Sequence, residues 1–138
     1  MPKQVSIFNE IVKLNDTLIL FGGSLPKTHN MLRRQSERVV DLSVDMLVQC
    51  SEALQEDNLY ERVKYLRGLK TNLLTIDAII KIWYKLPKKR FSKNYPVAIT
   101  ENQYAIYGEI FSNIHFSVKR WIKATEAQIR EGLNKMGE

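Results

Sequence analysis

Apolar side chains recur along this chain at steps of three and four, and no stretch alternates apolar with polar over a strand's length. Ile7, Ile11, Leu14 and Leu18 share one helical face, which predicts a first helix over residues 6–21. Ser6 is placed to cap it, and Gly22-Gly23 to end it, because glycine adopts a left-handed C-cap conformation at little cost. Pro26 suits the first turn of a second helix, where its missing N–H is not needed, and the periodicity carries that helix over 26–54. Its face is Leu32, Ser36, Val39, Ser43, Met46, Cys50 and Leu54, with a parallel row at Val40, Leu47 and Leu54. Ser36, Ser43 and Cys50 are small, so a neighbouring helix can approach closely along them. After a polar break, a third helix is predicted over 58–86 on Leu66, Leu69, Leu73, Ile76, Ile80 and Trp83. Pro87 ends it by removing a donor and restricting Leu86. A loop over 87–99 follows. Thr100-Glu101-Asn102-Gln103 then has the form of a capping box and opens a fourth helix, 100–131, on Tyr107, Ile110, Phe111, Ile114, Val118, Trp121 and Ile122. Its last turns are polar and are expected to fray, ending at Gly132 or Gly137.

Four helical periods and three breaks predict one all-α domain over 1–138, an up-down-up-down antiparallel four-helix bundle. A chain of 138 residues, 44% hydrophobic, can bury roughly two-thirds of its unfolded surface in one core without covalent staples. The lone cysteine, Cys50, excludes an intrachain disulfide and reads as a small core residue. The opening Met-Pro-Lys-Gln-Val-Ser has no apolar secretory core, and the apolar runs fall far short of the roughly 18 residues a bilayer span requires. The expected location is cytoplasmic, with no membrane partner.

Charge changes this picture. The net charge is +6, and Lys81, Lys85, Lys88, Lys89, Arg90 and Lys93 supply six cations within 81–100, where there is no acid. The remainder of the chain is therefore balanced. Trp83, Tyr84, Phe91 and Tyr95 are interleaved with these cations, a combination suited to a phosphate backbone or an acidic protein surface. On the third helix Arg67, Lys70, Lys81 and Lys85 fall within about 60° of one another, so a basic stripe leads into the loop. Asp77 interrupts it at one edge. The candidate nucleic-acid contacts are Arg67, Lys70, Lys81, Lys85, Lys88, Lys89, Arg90 and Lys93. They would be mostly phosphate contacts, steep in salt and weakly sequence-selective. Trp83 and Tyr84 are candidates for stacking on bases, although Trp83 also fits core packing at the end of the third helix. Lys119, Arg120 and Lys123 make a second basic group, and Arg33, Arg34 and Arg38, broken by Glu37, make a third. The former suits nucleic acid, a protein partner or a solvated last helix; the latter suits a protein partner, a neighbouring subunit or water.

Catalytic signatures are missing. A di-iron bundle needs Glu-x-x-His pairs, but the residues three before His29 and His115 are Pro26 and Ser112. There is no phosphate-binding glycine loop, and neither histidine has the closely preceding arginine of the helical ribonucleases. The expectation is a non-enzymatic binding protein without metal or cofactor.

Several stretches resemble the accessory variability determinant (Avd) family of diversity-generating retroelements, which is related to the four-helix proteins encoded in ribosomal RNA intervening sequences. They are Leu25-Pro26-Lys27-Thr28-His29, Tyr65-Leu66-Arg67, Thr100-Glu101-Asn102-Gln103-Tyr104, Gly108-Glu109-Ile110 and Lys119-Arg120-Trp121-Ile122-Lys123-Ala124. The likeness covers Ile11 to Ala124. Val39-Val40-Asp41-Leu42-Ser43 departs from the intervening-sequence branch, and Lys119-Arg120 stands where many relatives have small residues before the tryptophan. The resemblance implies a basic, barrel-like homopentamer. It also implies a non-enzymatic partner of a reverse transcriptase that binds template RNA, or an RNA/DNA hybrid, during mutagenic copying. The alternatives are a protein of the ribosomal RNA intervening-sequence type, or a protein-interaction scaffold with no nucleic-acid role.

Overall fold

The structure, a computed structural model, describes residues 3–25, 30–85 and 99–137. Four helices account for nearly all of them: α1 (Lys3–Ser24), α2 (Asn30–Gln55), α3 (Leu59–Lys85) and α4 (Glu101–Met136). Each helix packs on its neighbours in sequence, and α4 closes the square against α1. The residues that meet fix the directions. Asn15 reaches Ser43 on α2, and Gln49 and Gln35 of α2 meet Asn72 and Trp83 of α3. Arg67 and Asp77 of α3 meet Glu126 and Tyr107 of α4. Numbers rise on one helix as they fall on the next, so the bundle runs up-down-up-down.

The predicted faces meet in one core. Ile7, Ile11, Leu14 and Leu18 join Leu32, Val39 and Met46 of α2, Leu66, Leu69, Leu73, Ile76, Ile80 and Trp83 of α3, and Tyr107, Ile114, Val118, Trp121 and Ile122 of α4, all buried, with Ile110 and Phe111 half-buried against them. Leu54 is the exception; Ala53 takes the buried place and Leu54 is exposed. The small row on α2 does face a neighbour, and that neighbour is α1. Asn15 donates to the buried Ser43 hydroxyl at 2.8 Å, and Gly22 lies against Ser36.

That close approach corrects the expected end of the first helix. α1 begins at Lys3, so Ser6 lies inside it, and it continues through Gly22-Gly23 to Ser24. No described residue has positive φ, so neither glycine is a left-handed cap. A Cβ on Gly22 would meet the Ser36 hydroxyl, which would have to turn away, so α1 and α2 approach closely at this glycine. Pro26 and Pro87, placed as helix signals, lie outside the described residues.

The other ends follow local chemistry. Asn58 Oδ1 accepts from the Glu61 amide at 3.1 Å and caps α3. Arg62 clamps the turn before it, donating from Nε and Nη2 to the Glu56 carbonyl at 3.1 and 2.7 Å. Thr100 and Gln103 form the predicted capping box, with both reciprocal bonds present. Of the two glycines expected to end α4, it passes Gly132 and stops at Gly137. It runs to Met136 with Gly137 as its C-cap, so the polar last turns are helical.

Candidate functional site

α3 and α4 bring cations together that lie far apart in sequence. Arg67 and Lys70 on α3, and Lys119 and Lys123 on α4, line one groove of about 530 Å³, with Leu74 and Ile122 among the apolar residues at its wall. Their convergence comes from register. Leu66, Leu69 and Leu73 are fully buried beside Arg67 and Lys70, as Val118 is beside Lys119, and Ile122 beside Lys123 is buried but for the edge that lines the groove. Burying those apolar positions against one another sets both pairs of cations along the same seam.

The electrostatics of the seam are positive. Arg67 Nη2 is paired with Glu126 at 2.9 Å, across an exposed surface where such pairs contribute little, about 0–1 kcal/mol. Among the described residues Lys70, Lys119 and Lys123 make no ion pair. His115 reports their field. Burial, and then the charges of Lys119 and Lys70, hold its imidazole below the ordinary histidine range, against a smaller opposite pull from Asp77. Its ring stacks on Phe111 with centroids 5.3 Å apart, and both line a second groove that shares Lys119 and Lys123 with the first.

The predicted stripe along α3 is divided. Lys81 lies about 16 Å along the helix axis from Lys70, and its Nζ is bound to Asp77 at 2.8 Å. That hydrogen bond and charge raise the Lys81 pKa. Asp77 is itself buried and accepts from the Tyr107 hydroxyl at 2.7 Å. It therefore anchors α3 to α4 and is more than a break in a basic stripe. Lys85 ends α3, and Lys88, Lys89, Arg90 and Lys93, with Phe91 and Tyr95, lie outside the described residues.

Arg33, Arg34 and Arg38 are exposed on α2. The Gln35–Trp83 hydrogen bond, 2.7 Å, puts them at the end of the bundle where α3 finishes. They are not brought to the groove, because α2 packs on α1 and α3 and sits diagonally from α4. Arg120 is exposed on α4 with its guanidinium over the Phe116 ring, 5.5 Å from the centroid.

Of the two readings of Trp83, core packing at the end of α3 is the one the structure shows. Trp83 is fully buried and its Nε1 donates to Gln35. Tyr84 has one face covered by Tyr104, with ring centroids 4.1 Å apart and nearly parallel. Cys50 is buried and its thiol is pushed up to about 11, so it is not a thiolate nucleophile near neutrality. His29 lies outside the described residues. Among the described residues no three of His, Cys, Asp and Glu group closely enough to hold a metal ion, and no helix is long and apolar enough to cross a membrane.

No protein-family model, curated protein or solved structure matches this chain. The functional reading rests on the groove, the charge distribution and the resemblance of the sequence segments above. Phe116 is the residue that sequence reasoning passed over. Its position between two core residues, Ile114 and Val118, was the available signal.

Proposed function

We propose that this protein is a non-enzymatic nucleic-acid-binding accessory subunit, acting beside a reverse transcriptase on template RNA in the manner of the Avd family. The observation that carries the polyanion reading is the α3–α4 groove, in which Lys70, Lys119 and Lys123 converge without ion pairs while its one described acid, Glu126, is paired with Arg67. Phosphates entering it would release condensed counterions, and the apolar wall admits sugars and base edges. The six cations of 81–100 add to the positive charge of the chain. In a homopentameric ring the positive surfaces of five copies would add, strengthening long-range attraction for RNA. The retroelement role, the reverse transcriptase partner and the ring draw their support from the sequence resemblance.

The test compares three proteins on immobilised RNA and on purified reverse transcriptase: wild type, Lys119→Glu with Lys123→Glu, and Lys88, Lys89, Arg90 and Lys93 all changed to Glu. The expected result is that each variant loses RNA affinity by on the order of tenfold or more, since each removes several phosphate contacts. Unchanged RNA retention in the Lys119→Glu, Lys123→Glu variant rejects the reading, which the groove carries. Loss of polymerase retention alone would mark the surface as a dock for an acidic protein.

A further inference from the structure

Phe116 sits between Ile114 and Val118 in sequence, both fully buried, yet its own ring is 63% exposed. Residues two apart on a helix point about 200° apart, so the core positions force Phe116 outward. A single exposed phenylalanine is ordinary on a protein surface; its surroundings give this one meaning. Lys119, Arg120 and Lys123 line a groove with it of about 260 Å³, and Lys119 and Lys123 also line the α3–α4 groove. The Phe116 ring thus borders a run of cations that continues to Lys70. On its other side lies a polar groove where the one described acid, Glu10, is already paired with Lys13 at 2.9 Å.

Extending the polyanion reading, on which this rests, we propose that Phe116 is a stacking platform and that the preferred ligand of this face is single-stranded nucleic acid. One base lies against the Phe116 ring, the Arg120 guanidinium adds a cation–π contact, and the flanking phosphates run over Lys119, Lys123 and Lys70. A duplex keeps its bases stacked on each other and offers this surface only phosphates. An acidic protein offers the lysines carboxylates but gives Phe116 no base. An unpaired strand satisfies both halves of the site, and stacking on an aromatic ring tolerates any sequence because every base has a π face.

The experiment measures fluorescence anisotropy of a labelled oligouridylate and of a labelled RNA duplex against wild type, Phe116→Ala, Phe116→Trp, and Lys119→Gln with Lys123→Gln. Phe116 is exposed, so its replacement leaves the core intact; circular dichroism melts check this. Phe116→Ala is expected to weaken the single strand ~10-fold and the duplex less than twofold, with Phe116→Trp restoring single-strand affinity. The lysine variant is expected to weaken both ligands. If Phe116→Ala leaves single-strand binding unchanged, or weakens the duplex equally, the stacking inference is overturned while the polyanion reading stands on the lysine result. If neither ligand binds wild type, or the lysine variant changes nothing, both fail.

Discussion

Tyr107 and Asp77 hold the bundle together at a point where apolar packing alone would leave a buried carboxylate unsatisfied. The Tyr107 hydroxyl donates to Asp77 Oδ1 at 2.7 Å, and Lys81 donates to the other oxygen at 2.8 Å. Burial first, and then the Asp77 bond and charge, raise the Tyr107 pKa well above the ordinary tyrosine range. An unfolded tyrosine ionises near pH ~10, so above that pH the folded state holds a proton that the unfolded state has lost, and stability falls as pH rises. Tyr107→Phe is expected to cost about 1.5–3 kcal/mol at neutral pH, the range for a hydrogen bond to a charged group. It should also remove this residue's share of the alkaline decline. Urea melts at neutral and alkaline pH measure both, and an unchanged midpoint would mean that Tyr107 does not secure Asp77. The sequence shows why Trp83 belongs to the core, since it completes the row Leu69, Leu73, Ile76 and Ile80. It does not show why Asp77 is buried, because its partner Tyr107 lies thirty positions away on another helix.

At the scale of helices, local signals were legible where they depend on neighbouring residues and failed where a second helix intervenes. The Thr100–Gln103 box needs only four consecutive residues, and both of its bonds form. Thr100→Ala leaves the Gln103 amide without its side-chain partner and is expected to destabilise the protein by about 1 kcal/mol. Thermal unfolding would register this, and a midpoint equal to wild type would show that α4 starts independently of the cap. Gly22-Gly23 carries the usual signature of a helix end, yet α1 passes through it, because contact with Ser36 uses the absence of a side chain in a different way. A one-dimensional reading cannot separate a glycine that ends a helix from one that lets two helices touch.

The whole molecule joins two basic groups that the sequence presents separately. Arg67 with Lys70, and Lys119 with Lys123, become one surface only when α3 and α4 are set in register. Lys81, expected to continue the same stripe, is instead tied to Asp77 toward the other end of the bundle. The bundle topology was readable because the helical period is strong in all four segments, whereas the site was readable only in its chemistry. Lysine and arginine contacts to phosphate supply affinity through counterion release, so the salt dependence of binding counts the contacts. The most direct measurement is therefore the affinity for single-stranded RNA over a range of salt concentrations, for wild type and for Lys119→Gln with Lys123→Gln. The account predicts a steep fall in wild-type affinity with salt, and a logarithmic slope shallower by about 1.4 in the variant, near 0.7 for each contact removed. A wild-type affinity insensitive to salt, or an identical slope in the variant, would contradict it.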